Sequence, residues 1–283
     1  MNPALSEIIR FLNICLLKSG RTSTPSANAG AAEMYVCLTT TPKRIAKIGP
    51  TLASLADQSV PPTGIFLYLP DRSKGGQPYT VPDFVSQNPL ITIKTVREDV
   101  GPATKWFYTG ADRSIGEQTP IIVLDDDQVY PKRLLEHYLK CRKEFPTAAI
   151  TLLGWRVPST MAHADRKFVS ASRVRLLGND PVVRRPERVH CVQGASSFMI
   201  SKSMIEYDQS YFDRHEATLF ADDILISGLL AKKGVPVMVV PAPFRYIRMH
   251  TLWMMMGESL FKNVNKAAGY NDALYQLFKD FWR

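Results

Sequence analysis

Residues 120–135 read PIIVLDDDQVYPKRLL, an apolar run that drives into three consecutive aspartates, Asp125, Asp126 and Asp127, and then into Pro131. Crowded carboxylates repel one another and each resists losing water, so such a cluster needs nearby cations or hydrogen-bond donors. A divalent metal is the economical partner. Hard ions such as Mg2+ take oxygen ligands, usually a few carboxylates together with the phosphates of a bound nucleotide, and Mn2+ accepts the same set. Asp125 and Asp127 lie two residues apart, and in an extended chain they point the same way. Both could then reach one metal, directly or through water, with Asp126 turned elsewhere, for instance to a sugar hydroxyl. The plainer alternative is a solvated acidic turn ahead of a proline-started helix.

A second acidic group opens the stretch FADDILISGLLAKKG, where Asp222 and Asp223 stand at the start of an expected helix. Acids there are favoured by capping and by the helix dipole. Two adjacent acids exceed what a cap requires. Trp106 and Trp155 could offer apolar platforms to sugar faces, or simply pack in the core.

The elements that must position these residues follow from the pattern. Strands are expected in MYVCLTT, GIFLYLP, LITIKTV and PIIVLDD, with a helix through IGPTLASLADQ and a turn entering a helix at GPATKWFYTGAD. Strands alternating with helices specify an α/β fold with a mostly parallel, doubly wound central sheet. Ligands of such sheets bind at the carboxyl ends of the strands, so Thr39 to Arg44, Asp71, the turn DVGPATK and the aspartates should open onto one crevice. Beyond Pro131 a helix carries Leu134, Leu135, Tyr138 and Leu139 on one face. A strand pair or a strand with a glycine break is expected in HCVQGASSFMIS, a helix from Asp222 stopping at Gly234, a strand in VPVMVVP, and a last helix around NDALYQLFKDFW.

Composition bounds the rest. The chain has 283 residues, 45% hydrophobic and 22% charged, which is ordinary globular content. A formal charge of +9, with local groups at Arg166–Lys167, Arg173–Arg175 and Arg184–Arg188, suggests a polyanionic ligand or an acidic membrane surface, although solubility alone explains it too. Cys15, Cys37, Cys141 and Cys191 form no CxxC pair, so neither a zinc site nor a disulfide framework is indicated, and a reducing, cytoplasmic setting is expected. No stretch approaches the roughly 18 apolar residues needed to span a bilayer. Leu5, Ile8, Ile9, Leu12 and Leu16 fall near helical spacing, so the opening segment can form an amphipathic helix on a membrane, on a partner or on its own domain. Residues 18–32 are small and polar, as in a linker. The expected organisation is residues 1–33 as helix and linker, and 34–283 as a single domain, with a nucleotide-binding half to about 130 and an acceptor-binding half from about 131.

An apolar strand ending in DDD resembles the Asp-x-Asp motif of nucleotide-sugar glycosyltransferases with the GT-A fold. YVCLTTTPKRI and TLASLADQSVPPTGIFLYLP are similar to the opening of the family 2-type members, with their SL..Q helix, and FADDILISGLLAKKG to the acidic pair that opens their base-bearing helix. The likeness spans residues 34 to about 234. It implies transfer of a sugar from a nucleotide diphosphate sugar to a hydroxyl of a glycan, lipid-linked or protein-linked acceptor. Mn2+ or Mg2+ would be held by Asp125 and Asp127, with His250 as a third ligand. Thr39, Thr41 and Arg44 would lie against the nucleotide, Asp71 would accept from base or ribose, and Lys105 would face the donor phosphates. Asp223 would be the base of an inverting transfer with Asp222 its neighbour, and the segment VQGASSFMIS would lie beneath the sugars, Gly194 allowing close backbone approach. Arg245 and Arg248 could neutralise a leaving diphosphate or be solvated. The chain departs from the family in having YLPDRS where many members have VDDGS.

Two other readings stay open. LDDDQV also fits the Asp-x-Asp-x-Val opening of haloacid-dehalogenase-like phosphohydrolases, with Asp125 a nucleophile, Asp127 a general acid, Mg2+ between them and Lys202 near a second motif. The nucleophile strand of those enzymes usually opens the domain, whereas three strand-like segments precede this one. A non-catalytic basic domain on anionic lipid or nucleic acid would leave the acids unexplained, and no nucleic-acid motif is present, so no nucleic acid is expected.

Overall fold

The computed structural model describes residues 3–16, 33–172, 182–243, 249–250 and 269–282. In chain order these form α1 (Pro3–Leu16), β1 (Tyr35–Thr39), α2 (Gly49–Ala56), β2 (Gly64–Pro70), α3 (Asp83–Ser86), β3 (Ile91–Val96), α4 (Thr104–Phe107), β4 (Pro120–Val123), β5 (Gln128–Val129) and α5 (Leu134–Glu144). There follow β6 (Ala149–Thr151), β7 (Leu153–Trp155), β8 (Phe168–Ser170), β9 (Glu187–Val189), β10 (Cys191–Val192), β11 (Phe198–Ser201), α6 (Ser210–Arg214), α7 (Asp222–Lys232), β12 (Val237–Val239), β13 (Met249–His250) and α8 (Tyr270–Leu277).

The main sheet has 8 strands in the order β3-β2-β1-β4-β11-β6-β12-β9. Strands β3, β2, β1, β4, β6 and β12 share one direction, while β11 and β9 are reversed. The α/β class with a mostly parallel sheet expected from the alternation is therefore present, with β11 and β9 as its antiparallel members. The four expected strands of the first half pair as a parallel block because each is joined to the next by a long crossover. Every residue of β2 is buried, as suits a strand covered on both faces, whereas β3 lies at the edge and carries Lys94.

Two features of this topology bear on function. Because β11 is antiparallel to β4, Phe198 pairs with Val123, and the segment preceding β11 arrives at the carboxyl ends of the parallel strands. Helix α7 precedes β12, which runs with β4, so its own amino end, with Asp222 and Asp223, lies at that same edge of the sheet. The turn entering a helix expected at GPATKWFYTGAD is present as a 3-10 turn at Gly101–Ala103 followed by α4, and the helix expected at Pro131 begins instead at Leu134.

Helix α1 forms where the apolar periodicity indicates, yet it docks in an unexpected orientation. Ile9 and Leu12 remain 42% and 46% exposed, Ile14 is buried, and Arg10 points inward to α2. The linker of residues 18–32 lies outside the described residues. Among the described residues no helix is long and apolar enough to cross a membrane.

Helix α7 is buried nearly all round, including Ile224, Leu225, Ile226, Leu229 and Leu230, as a helix central to its layer must be. Gly228 lets α8 and its continuation pack against it: a Cβ there would lie 2.2 Å from the Phe278 ring. In an exposed helix Gly→Ala gains up to about 1 kcal/mol. Here Gly228→Ala should instead lower stability by about 1–3 kcal/mol through overpacking, measured by urea unfolding, and Phe278→Leu in the same chain should recover part of the loss.

Candidate active site

Strand β4 ends at Val123, and the chain then turns at Asp126–Asp127 before β5. The extended geometry that would aim Asp125 and Asp127 alike is therefore absent. Several groups hold the turn from behind. The Tyr130 hydroxyl accepts the Asp125 N–H at 2.9 Å and donates to the Asp125 carbonyl at 3.0 Å, and Thr51 Oγ1 donates to the Asp126 carbonyl at 2.8 Å. The carboxylates are consequently divided, Asp126 and Asp127 meeting on Arg44 and Asp125 facing Lys105.

Asp126 is turned inward, at 4% exposure, where Thr40 Oγ1 donates to it at 2.6 Å. Arg44 Nη2 sits 2.8 Å from Asp126 Oδ1 and 2.7 Å from Asp127 Oδ2, so one guanidinium nitrogen serves both acids. Burial pushes Asp126 up to about 7; Arg44 opposes this, and the charge on Asp127 adds to it. Expected to meet a sugar hydroxyl, Asp126 is instead an internal anchor. Enclosure and two protein donors leave its carboxylate no path outward.

Asp125 faces the other way, onto Lys105. That lysine is only 4% exposed, and its ammonium lies 2.7 Å from Asp125 Oδ1 and 3.0 Å from Asp222 Oδ2. Burial disfavours its charge, but Asp125, Asp222 and Asp223 outweigh burial and raise its pKa, so it stays cationic. The turn that delivers it depends on Gly101, at φ +67, where a Cβ would lie 2.3 Å from the Leu219 carbonyl oxygen. Only glycine allows both that backbone and that approach.

Asp223 Oδ1 accepts the Gly194 N–H at 2.7 Å. Burial first, and then the charge of Asp222, raise it to about 8, while Lys105 and the Gly194 N–H act against the rise. Gly194, expected to let the backbone approach a sugar, is approached here by the site's own side chains: a Cβ there would stand 2.8 Å from Asp223 Oδ1 and 3.0 Å from Lys105 Nζ. Helix capping does not account for the pair, because the cap position of α7 is Ala221, with no side-chain capping bond, and Asp223 bonds a different segment.

The structure thus brings together Lys105, Asp125, Asp222, Asp223 and Gly194 in one group, and Arg44, Asp126 and Asp127 in an adjoining one. Thr41 is exposed, and its carbonyl accepts the N–H groups of Arg44 and Ile45, forming the turn that presents Arg44. Thr39 is half-buried and donates to the Tyr68 carbonyl at 2.8 Å. Asp71 is exposed at the end of β2, its N–H bonded to Val96 O. The backbone of His250 pairs with Gln128, next to Asp127, but its side chain, with Arg245 and Arg248, lies outside the described residues. Trp106 and Trp155 are buried core residues, the latter donating to the Tyr275 hydroxyl, so neither presents a sugar platform. Arg44 and Lys105, expected to face a nucleotide, are each engaged by the acids instead.

Sequence reasoning missed Thr40, Tyr130 and Gln193. Thr40 lies inside the quoted TTT, but nothing local shows which hydroxyl turns inward. Gln193 Oε1 is buried with no hydrogen-bond partner among the described residues, directly before Gly194. A cavity of about 360 Å³ lined by Arg188, His190, Val235 and Trp282 opens at the other end of the sheet, where β12 begins, and no acid lines it.

No group of three His, Cys, Asp or Glu side chains among the described residues is arranged to hold a metal. The donor chemistry of the turn nevertheless suits a hard cation. Among the described residues, Asp125, Asp126, Asp127 and Asp222 pair with Arg44 and Lys105, and Asp223 stands beside them on the Gly194 N–H. That excess of carboxylate draws positive charge, and raised pKa values relieve only part of it.

Lys105→Met leaves buried carboxylates without their cation and should cost about 3–5 kcal/mol in urea unfolding, with a larger loss at higher pH as the acids ionise. Asp223 has a second signature. Raised to about 8 from 3.8, it holds a proton in the folded chain that the unfolded chain has released, so its contribution to stability is full below pH 3.8 and lost as pH rises through 8. Asp223→Asn should flatten that decline in a series of melting temperatures against pH. Neither a family model nor a curated protein matches this chain, so what the site does must be read from its geometry.

Proposed function

We propose that the chain is a metal-dependent glycosyltransferase of the GT-A fold, transferring a sugar from a nucleotide diphosphate sugar to an acceptor hydroxyl with inversion. The observation that carries this reading is the meeting of the strand-end acidic turn and the acidic pair of α7 on one buried lysine. Two acid groups with different surroundings suit two tasks: charge management at the leaving group and proton removal from the acceptor.

Asp125 and Asp127, which in this structure face Lys105 and Arg44, are the residues whose carboxylates would turn to hold Mn2+ or Mg2+. Such an ion, when bound, neutralises charge on the departing diphosphate. Lys105 keeps its own charge at the same place, and Arg44 adds a second fixed cation beside Asp127. Asp126 keeps Arg44 in position. In its ionised form Asp223 takes the acceptor proton as the hydroxyl oxygen bonds to the anomeric carbon and the carbon–diphosphate oxygen bond breaks. A carboxylate whose pKa is raised to about 8 is far better matched to that proton than an ordinary one, and the Gly194 N–H fixes its orientation. Gln193 Oε1, buried beside Gly194, offers an acceptor to a sugar hydroxyl.

Titration of UDP, GDP, dTDP and CMP, with and without Mn2+, against melting temperature tests the proposal. One nucleotide at a hundredfold its dissociation constant should add about 2.7 kcal/mol, only with metal. Asp127→Ala should abolish that shift, whereas Asp223→Asn should keep it and lower turnover by about 10²–10⁴-fold. Retained sugar transfer in both variants, or indifference of the wild type to every nucleotide, would overturn the assignment.

A further inference from the structure

A polar seam links the N-terminal helix to the acidic turn. Arg10 on α1 donates from Nη1 to the Tyr130 carbonyl at 2.8 Å, from Nη2 to the Ser54 carbonyl at 3.1 Å and from Nε to Asp57 at 2.7 Å. Tyr130 carries the contact onward. Its N–H donates to Ser54 Oγ at 3.1 Å, and its hydroxyl bonds both the N–H and the carbonyl of Asp125. Gln58 closes the seam, donating to the carbonyls of Ser54 and Pro131 at 2.9 and 2.8 Å.

Three properties of Arg10 point beyond simple attachment of a helix. Its side chain is only 12% exposed, so the carbonyls it serves have little water to replace it. The ion pair with Asp57 involves a carboxylate 41% exposed, and pairs of that kind contribute little. Ile9 and Leu12 face solvent while Ile8 and Phe11 are half-buried and Ile14 is buried, so Arg10 lies on the docked face of α1 beside apolar side chains. The guanidinium's fixed fork of donors is what spans two carbonyls at once, and a lysine ammonium does not reproduce that geometry.

We infer that Arg10 is a positioning residue for the acidic turn: α1 docked through Arg10 secures the Tyr130 main chain, and the Tyr130 hydroxyl in turn secures Asp125 opposite Lys105. One end of the turn is held from outside the sheet and the other from beneath. The positioning stands on these contacts alone; its consequence for donor binding rests on the transferase reading. In that reading the N-terminal helix sets the affinity for the donor while supplying no group that touches it.

Hydrogen exchange on the full-length chain, followed in peptides covering residues 124–131, tests the positioning directly. Arg10→Met should speed exchange there by roughly tenfold or more, the loss of about one to two hydrogen bonds, without matching changes in β2 or β4. Arg10→Lys should resemble it, and Asp57→Asn, which keeps the two carbonyl contacts, should resemble the wild type. Tyr130→Phe removes only the hydroxyl, so it should release the Asp125 amide while α1 stays protected. Unchanged exchange of the turn in Arg10→Met, equal effects of Asp57→Asn and Arg10→Met, or a protected Asp125 amide in Tyr130→Phe would each overturn the inference. If Arg10→Met unfolds the whole chain, seen as fast exchange in β2, the Tyr130→Phe result decides. With the nucleotide identified by the thermal titration, Arg10→Met should raise its half-saturating concentration several-fold and leave turnover at saturation near the wild-type value. A wild type that binds no nucleotide would remove the transferase reading, and the exchange results would still decide the positioning.

Discussion

The ammonium of Lys105 is the charge on which this site depends. It lies between an acid that leaves the parallel strands, Asp125, and an acid that begins a helix much later in the chain, Asp222, and it is shielded from water. Without it those carboxylates would face one another at close range in a poorly hydrated place, where like charges raise each other's pKa or push the elements apart. Lys105 therefore ties the two halves of the chain together and sets the electrostatic state of each acid around it.

That constraint explains details of the fold that would otherwise be arbitrary. Gly101 must accept a left-handed backbone against the Leu219 carbonyl so that α4 can start where its lysine reaches both acids. Gly194 must lack a side chain because Asp223 and Lys105 occupy the space a Cβ would take. The reversed strand β11 delivers Gly194 to the carboxyl edge of β4, which a parallel strand in the same place would not do, since its amino end would lie at the far edge. Raised values for Asp126 and Asp223 come first from burial, with the neighbouring charges of Asp127 and Asp222 adding to it. An electrostatic imbalance of this kind costs stability in the resting protein and is tolerated where chemistry makes use of it.

The acidic turn also shows how a surface-like motif becomes a rigid one. Its three side chains are distributed to Lys105, Thr40 and Arg44, and its main chain is satisfied by Thr51 and Tyr130. Support of this depth fixes the main chain of the turn and holds each carboxylate on its own partner. The outermost layer of that support comes from α1, a segment that the rest of the sheet does not need for its own pairing.

By itself the sequence determined the elements and the kinds of chemistry. Apolar runs such as GIFLYLP, alternating with helical periodicity, were enough to place β1 to β4, α2, α5 and α7, because burial on both faces and the 3.6-residue repeat leave marks in local composition. Acid clustering at 125–127 and 222–223, the glycine at 194 and Lys105 were visible as residue types whose presence needs a reason. Their partners were not visible. Which aspartate turns inward, that Arg44 bonds two of them, that Trp106 and Trp155 are core rather than surface, and that Arg10 rather than Ile9 or Leu12 faces the domain are all set by contacts between segments 40 to 120 residues apart. Periodicity carries no information about such pairings. The direction of β11 and the turn that breaks the extended geometry after Val123 depend on how the whole sheet closes over its core, so only the tertiary structure decided them.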